Sequence, residues 1–434
     1  MNVSILTLFP KLYEAFWDTS LLSKAKEKGL LSADIKNFLD FCAPKQRVDS
    51  PSFGPGAGML IKPDVVEQAI SEQEAKHGKS LKIFFSPAGK KLTPLFLKDL
   101  AKRAQEQKHI LLACARYEGM DARVEEQYAD EIISIGDFVT MGGDVPAILF
   151  LEGLLRYIPG VVGKEESVEQ DSFSGAFVDY PEYTHPVDWH GNVVPEIIRS
   201  GNHGAIEAWR REAAAKRTVV GHFDWLRSYP NLNKSDIDLT KKFMPNHYVT
   251  VLHSEVLLKS GIVGNTSITS LDIHDIARSC ATYGIKRYYM ASKLEDQKKI
   301  VRVLLDFWET GYGAEYNAHR HEAVKAIELK NTLADVVDAI REREGKEPIL
   351  VATSAKDFGP EKTITYKDHQ KVWSLDRPVL FVFGTGHGLS PEVMNRCDFF
   401  LGPVLGFSDF NHLSVRSAVA IILDRWMGIN KASS

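Results

Sequence analysis

The chain is poor in the features that would place it in a specialised class. It has four cysteines among 434 residues, Cys42, Cys114, Cys280 and Cys397, and no C-x-x-C pair. That excludes a disulfide scaffold, a zinc ribbon and a dithiol redox motif. No apolar run approaches the ~18 residues of a membrane span. The first ten residues, Met1 to Pro10, lack a basic n-region and read as a strand, not a signal peptide. Free thiols and the absence of a span point to a cytoplasmic location without membrane association. Neither charge sign dominates: 53 Lys+Arg face 57 Asp+Glu, a net charge of −4. A protein basic over its whole surface is thereby excluded, though a local basic face is not. What remains is ordinary globular composition, 44% hydrophobic and 25% charged, at a length that suggests about three domains.

The common phosphate-binding loops are missing too. G-x-x-x-x-G-K-[ST] does not occur. After Gly384 and Gly386, the third glycine of a dinucleotide fingerprint is replaced by Leu389. Glycine is nonetheless concentrated in four loops: Gly54–Gly58, Gly142-Gly143, Gly384–Gly388 and Gly402–Gly406. Each alone reads equally as a turn. Glycine loops without a phosphate-binding lysine suit a ligand held by backbone and apolar walls.

Up to about residue 160, β-rich runs alternate with helical spacing. Strands are expected at Val3–Phe9, Ile83–Phe85, His109–Cys114 and Glu131–Ile135. Helices are expected at Lys11–Trp17, Leu21–Lys28, Pro94–Gln107 and Val145–Tyr157, the last with Asp144 at its mouth. This alternation implies an α/β layer fold with a mostly parallel sheet. Residues 161–192 lose periodicity and form a long loop, of the length usually reserved for function or linkage. Residues 203–216 and 234–243 form a small, polar helical domain. A second α/β unit begins near Tyr248, with strands at Tyr248–Leu252, Arg287–Met290, Ile349–Val351, Val379–Phe383 and Phe399–Leu401. Its helices are Asp272–Tyr283, Leu294–Trp308, Thr332–Glu344 and Val415–Met427. The expected domains are thus 1–160, a loop 161–202, a helical domain 203–245 and a second α/β domain 246–434.

Charge is distributed unevenly over these parts. Residues 144–198 hold two basic and ten acidic residues, a balance of −8; residues 199–242 hold nine and five, a balance of +4. The positive block suits a phosphate backbone; a solvated helical face is the plainer alternative. Two further segments, Cys114–Val124 and Ser134–Ala147, gather charge and glycine directly after apolar strands. In a parallel sheet these strand ends are where ligands bind.

An ordered set of short motifs now becomes informative: Ser86-Pro-Ala-Gly89, Arg116-Tyr-Glu-Gly119 with Asp121 and Arg123, Ser134-Ile-Gly-Asp137, Gly142-Gly143 with Pro146, Ile158-Pro-Gly-Val161, Asp171-Ser-Phe173, Tyr183-Thr184 with Pro186, and Ser200-Gly-Asn-His203 with Trp209-Arg210. Over residues 1–245 this resembles the bacterial tRNA (guanine-N1)-methyltransferase family, TrmD. The resemblance implies a SPOUT-type α/β domain with a trefoil knot, S-adenosylmethionine as methyl donor and guanosine 37 of tRNA as target. It also implies a homodimer with its active site at the subunit interface, and no DNA partner. Asp171 matches the family's general base and Arg156 its O6-stabilising arginine. From local sequence, Asp171 also reads as an Asx-turn or cap, and Arg156 as a partner for Glu152. The implied cofactor positions are Ser86, Pro87, Ala115, Glu118, Gly119, Ser134, Ile135, Gly136, Phe138, Val139, Thr140, Gly142, Gly143 and Pro146. Glu118 also reads as a partner for Arg116 or Arg123. Ala88, Ala115, Thr140-Met141, Val145 and His185 depart from the family's usual residues. Magnesium is associated with the family, but the sequence shows no ligand cluster and no metal site is assigned.

Residues 246–434 carry a second set: His274 with Arg278, Tyr316-Asn317 with Arg320, Thr353-Ser-Ala355, Phe383–Ser390 and Asn411-His-Leu-Ser-Val-Arg416. They resemble a bacterial family of RNA methyltransferases of the SPOUT type. This implies a second S-adenosylmethionine pocket from Thr353, Gly384, Gly386, Gly388, Leu405, Leu413 and Ser414, with Asn317 and Arg320 on the reactive side. A non-catalytic RNA-binding or dimerisation module is the alternative. His319, His321 and His387 read as loop histidines, not metal ligands. The helical domain between the two units would grip tRNA, with Arg210, Arg211, Lys216 and Arg217 as phosphate contacts; Trp209 and Trp225 read as core.

Overall fold

Strands that are apolar along their whole length, not at alternate positions, belong in a parallel sheet covered on both faces. Residues 3–7, Val-Ser-Ile-Leu-Thr, are buried throughout, with Ser4 and Thr7 hydrogen-bonded internally, as is His109–Ala113. A computed structural model describes residues 1–54, 58–162, 171–309, 318–355 and 361–429. It divides the chain into two units, Met1–Ser174 and Gly175–Ser434.

In the first unit, β1 (Asn2–Thr7), β2 (Ser32–Asn37), β3 (Leu81–Lys91), β4 (His109–Ala113) and β5 (Glu131–Ser134) form a parallel sheet in the order β2-β1-β4-β3-β5. Side chains alternate between two cores. Val3, Ile5, Ile110 and Leu112 pack under α2 (Pro94–Gln107) and α4 (Asp144–Leu155). Leu6, Leu111 and Ala113 face α1 (Pro63–His77) and α3 (Ala122–Tyr128). Thr93 starts α2 by accepting a bond from Phe96 N at 3.2 Å, with Pro94 in the first turn. That signal is explicit in the sequence, and the helix matches its expected span. The sequence reading did not include α1, α3 or β2. In α1 the polar Gln73 is buried and accepts a bond from Ser4 Oγ at 2.9 Å, which interrupts the apolar stripe.

In the second unit, seven parallel strands stand in the order β8-β7-β6-β11-β9-β12-β10. They are β6 (His247–Leu252), β7 (Arg287–Ala291), β8 (Ile327–Lys330), β9 (Ile349–Thr353), β10 (Thr363–Ile364), β11 (Val379–Gly384) and β12 (Phe399–Leu401). The helices are α5 (His203–Gly221), α6 (Phe223–Ser228), α7 (Lys234–Phe243), α8 (Ser270–Thr282), α9 (Glu295–Glu309), α10 (Leu333–Glu344) and α11 (Val415–Met427), with short helical turns between. On α11 the expected stripe faces inward: Val419, Ile422 and Trp426 are buried and Val415 packs against the same core. The strands β8 and β10, short and partly polar, were not expected from sequence. Residues 171–187 of the expected loop carry no helix or strand, and a small hairpin pairs Asp188–Trp189 with Asn192–Val193. The helical segment α5–α7 shares one hydrophobic core with the second sheet: Val219, Phe223, Leu226 and Leu232 are buried with Val249, Phe381 and Trp426. No helix among the described residues is long and apolar enough to cross a membrane.

The centre of that core is polar. Trp426 Nε1 donates to His247 Nε2 at 3.2 Å, and the other ring nitrogen of His247 lies 2.7 Å from Pro245 O. Nε2 must therefore accept and Nδ1 donate, which fixes a neutral tautomer. Burial agrees, pushing the His247 pKa from 6.5 down to about 3. Burial likewise lowers His369 and His253. Because the folded pKa lies below the unfolded one, the unfolded chain takes up protons first as pH falls. The second unit is expected to be fully stable above about pH 6.5 and to lose stability steadily between there and about pH 3. Denaturant unfolding at stepped pH checks this; a flat midpoint from pH 7 to 4 contradicts it.

Candidate functional site

The carboxyl ends of β4 and β5 and the irregular middle of β3 converge on a cleft of about 330 Å³, within the range of small-molecule sites. Its wall comes from Phe85–Pro87 within β3, where the pairing with β5 is interrupted between Phe85 and Lys90, from Ala115–Met120 after β4, and from Ile133–Ile135 with the loop that follows β5. Ser86, Pro87, Ala115, Glu118, Gly119, Ser134, Ile135, Phe138, Val139, Thr140, Gly142, Gly143 and Pro146 all line it. Of the expected positions only Gly136 does not; it lies in the same loop, its carbonyl accepting a bond from Ser134 Oγ at 3.0 Å. Tyr117, Met120, Ala122 and Glu125 also line the cleft. Ala122 and Glu125 come from α3, and Tyr117 and Met120 from the loop after β4.

The loop after β5 closes on the β4 end because two residues there have no side chain. A Cβ on Gly142 would stand 2.5 Å from Arg116 Cδ and 2.9 Å from Ala115 O. One on Gly143 would stand 3.0 Å from Ala115 N. In their absence Gly143 N donates to Ala115 O at 2.7 Å. A single carboxylate holds the same junction from below. Asp144, 1% exposed at the first turn of α4, accepts from Arg116 Nε at 3.0 Å, Tyr13 OH at 3.1 Å and Thr7 Oγ1 at 2.5 Å. Arg116 donates onward to Met141 O at 3.2 Å and lies over the Phe9 ring at 4.5 Å. Burial drives the Tyr13 hydroxyl and the Cys114 thiol, 3.1 Å apart, well above their usual pKa values, so both stay protonated.

Two carboxyl groups line the cleft itself. Glu118 is exposed and has no ion-pair partner among the described residues. Its expected alternatives are taken: Arg116 by Asp144, and Arg123 by Asp121, which it contacts at 2.7 and 2.8 Å. Glu125 has its pKa raised by burial. Arg156 and Asp171 form an ion pair with one another at the far end of α4, both about half exposed. Neither lines the cleft. Arg156 is therefore not engaged with Glu152. Asp171 O accepts from Ser174 N at 3.1 Å and Ser174 Oγ at 2.6 Å, a turn that leaves the carboxylate to Arg156.

In the second unit Thr353, Gly384 and Leu401 end adjacent parallel strands. The glycine loop is tied to a hairpin, with His387 N donating to Leu257 O and Leu257 N to Gly388 O, both at 2.8 Å. A Cβ on Gly386, whose φ is +63, would lie 2.8 Å from Leu257 O. The loop after β12 returns to the β9 end through Asn411 Nδ2, which donates to Ala355 O at 3.0 Å. On it Leu405 and Leu413 are exposed, and Ser414 caps α11. Asn317 lies outside the described residues. Arg320 lies over the Trp308 ring at 4.6 Å. Among the described residues no group of three or more His, Cys, Asp or Glu side chains is placed to hold a metal ion.

The arm's cations are not equally available. Arg211 pairs with Asp236 at 2.8 Å, and Arg210 stacks over Tyr180 at 4.6 Å. Arg217 donates to Asp179 O at 3.4 Å, and Lys216 is exposed. Trp225 donates to Gly175 O at 3.2 Å, and Trp209 lies beside Tyr183.

Comparison with known proteins gives two family matches, the first of which runs past the boundary between the two units. The family described as tRNA (Guanine-1)-methyltransferase TrmD matches residues 1–228, and one described as SAM-dependent RNA methyltransferase matches residues 246–428. A tRNA (guanine-N(1)-)-methyltransferase of Nitratidesulfovibrio vulgaris is 39% identical over 434 residues, covering 99% of both chains. One of Oleidesulfovibrio alaskensis is 36% identical over the same span, again 99% of both. One of Bacillus subtilis is 38% identical over 232 residues, 53% of this chain and 94% of its own.

The Asp144 junction yields a direct test. Replacing Asp144 by Ala leaves a guanidinium and two hydroxyls without their acceptor. Breaking such a buried pair costs about 3–5 kcal/mol. Asp144→Asn, which still accepts from the hydroxyls, is expected to cost less. Denaturant unfolding measures both; an undiminished midpoint for Asp144→Asn contradicts the charge pairing, and equal losses for the two variants contradict the contribution of the hydroxyl bonds.

Proposed function

This chain belongs to the tRNA (guanine-N1)-methyltransferase family, and from that premise we propose that it transfers a methyl group from S-adenosylmethionine to N1 of guanosine 37 in tRNA. The observation that carries the proposal is the cleft between β3 and the ends of β4 and β5, lined by almost every residue that the family's pattern gives to the cofactor. The residues present fit the donor. Gly142 and Gly143 let backbone approach closely, Ile135, Phe138 and Pro146 offer apolar walls for an adenine, and Glu118 and Glu125 carry charge opposite to a sulfonium and an ammonium. When bound, S-adenosylmethionine supplies an electrophilic methyl group that needs no metal activation. The described residues provide no ligand cluster for magnesium.

Guanine N1 carries a weakly acidic proton and is a poor nucleophile until it leaves. Asp171 is the proposed base that takes this proton. Negative charge then builds on O6, next to N1 on the ring, and Arg156 is the proposed cation there. Their ion pair supports the pairing of roles, because one base and one cation must stand side by side to serve adjacent ring atoms. A flipped-out base suits such an exposed pair.

The pair and the cleft lie at opposite ends of α4, which at 1.5 Å per residue is about 18 Å long. We therefore place the active site across a homodimer, Asp171 of one subunit serving the cleft of its partner. Exposed Phe138, Val139 and Met141 beside the cleft, with Val145 and Leu149 on α4, support a covering subunit. The close return of the loop after β5 to the β4 end supports the trefoil-knotted SPOUT topology in this unit, with a second SPOUT domain following. The proposed domains remain 1–160, 161–202, 203–245 and 246–434, in a cytoplasmic protein. Lys216, with Arg210, Arg211 and Arg217, is proposed to contact tRNA phosphates. For the second unit we propose a second S-adenosylmethionine pocket from Thr353, Gly384, Gly386, Gly388, Leu405, Leu413 and Ser414, acting on an RNA position of its own. Arg320 and Asn317 would stand on its reactive side. A non-catalytic RNA-binding or dimerisation role is the competing reading.

Asp171→Ala is expected to lower kcat on unmodified tRNA by about 10²–10⁴-fold with unchanged S-adenosylmethionine affinity. Labelled methyl transfer measures the rate, and nucleoside mass spectrometry identifies the N1-methylguanosine. Undiminished transfer refutes the assigned base. For the second unit, Gly386→Val should reduce cofactor stoichiometry in calorimetric titration from two per chain to one. An unchanged stoichiometry of two moves the second pocket elsewhere.

A further inference from the structure

The helical arm has two faces with different fates. On its inner side Val219, Phe223 and Leu226 are buried in the core of the second unit. The Phe223 ring lies 4.7 Å from Trp373 and 4.8 Å from His369, both on a short helix that follows β10. The junction is also tied by charge. Arg227 reaches the end of α11, donating through Nη2 to Asp424 O at 2.9 Å and through Nη1 to Arg425 O at 2.5 Å. Both carbonyls lie in the last turn of α11, at the end where the macrodipole favours a cation; Asp424 O accepts in addition from Gly428 N at 2.8 Å. On the outer side stand Lys216, Arg217 and Arg211, exposed.

An amphipathic helix of this length depends for its order on burying its apolar face. Here that face is buried by residues ~150–200 positions further along the chain, outside both glycine-lined sites. We infer that the second unit is the scaffold of the tRNA-gripping arm: it holds α5 and α6 in the binding conformation, and Trp373, His369 and the α11 terminus act as positioning residues for methylation in the first unit. This rests on the tRNA reading above. It does not depend on whether the second unit is itself a methyltransferase.

Preorganisation of a binding element appears as affinity, not as chemistry. In the full-length enzyme, Trp373→Ala and Arg227→Lys are expected to raise KM for tRNA by roughly fivefold to tenfold, the factor corresponding to one such aromatic or charge-assisted contact. The values of kcat at saturating tRNA and of S-adenosylmethionine affinity in the first cleft are expected to stay at wild-type levels. Amide exchange should show lost protection across His203–Ser228, with the β1–β5 sheet unaffected. Arg227→Lys keeps the charge and loses only the fork, so it reports even if Trp373→Ala does not fold. Wild-type KM in Arg227→Lys despite lost protection of the arm overturns the inference, and so does unchanged protection. A wild-type enzyme that leaves tRNA unmethylated takes the tRNA reading down and this inference with it.

Discussion

The first unit is organised around one buried carboxylate. Asp144 sits where a strongly apolar helix begins, under a sheet with no room for an unpaired charge. It is tolerable there because a guanidinium and two hydroxyls converge on it and because α4 starts at that point, so the helix dipole favours a negative group. The geometry of the cleft follows. Arg116 is fixed by Asp144, and through Arg116 the loop after β4 is fixed to Met141. Gly142 and Gly143 then let the loop after β5 lie against Ala115. The wall of the cleft is therefore backbone whose position is set by a side chain beneath it. A ligand recognised by such a wall is recognised by shape and hydrogen bonding to main chain, which is why the lining is mostly small and apolar.

The same logic explains what the sequence made legible. Runs such as Ile110–Ala113 and Val379–Phe383 are apolar at every position, a pattern that suits a sheet covered on both faces, and both strands were found within a residue. Pro94–Gln107 was found to the residue because Thr93 and Pro94 mark its start. The cleft residues were accessible through an ordered set of short motifs, each uninformative alone. Other features were not accessible. In α1 a buried glutamine answers Ser4, a contact between distant positions that no local pattern records. Glu125 enters the cleft from α3, seven residues long and without a periodic signal. The Asp144 hub joins residues 7, 13, 116 and 144. Its parts were visible as a charge at a helix mouth and an arginine in a motif, but their meeting depends on the parallel strand order β1-β4.

The two halves of the proposed chemistry sit at the two ends of α4, and this follows from what each half needs. The donor cleft needs tightly packed strand ends, which lie at the helix start. The base and its cation need access to a nucleobase that enters and leaves, and they lie at the helix end, where the chain departs from the sheet. A helix of twelve residues cannot be bent to bring its ends together. On the proposed reading the distance is closed by symmetry: a twofold partner turns the end of its own loop toward the start of the neighbouring helix. The apolar side chains left exposed on α4, Val145 and Leu149, then become part of an interface instead of an anomaly in a helix that is otherwise buried.

The second unit meets the same physical demand differently. Its sheet is capped by aromatic and histidine side chains, Trp373, Trp426, His247 and His369, which pack ring against ring while each polar atom that bonds does so internally. Burial holds its histidines below their ordinary pKa, and the cluster also forms the floor on which the helical arm rests. The arm's inner face is as apolar as a core helix, so its partner could not be solvent, and its outer face is cationic. A fused domain that supplies such a floor needs no chemistry of its own to affect how tRNA is held. The floor rests on the ring cluster and the proposed second pocket on the glycine loop after β11, so the two involve different residues.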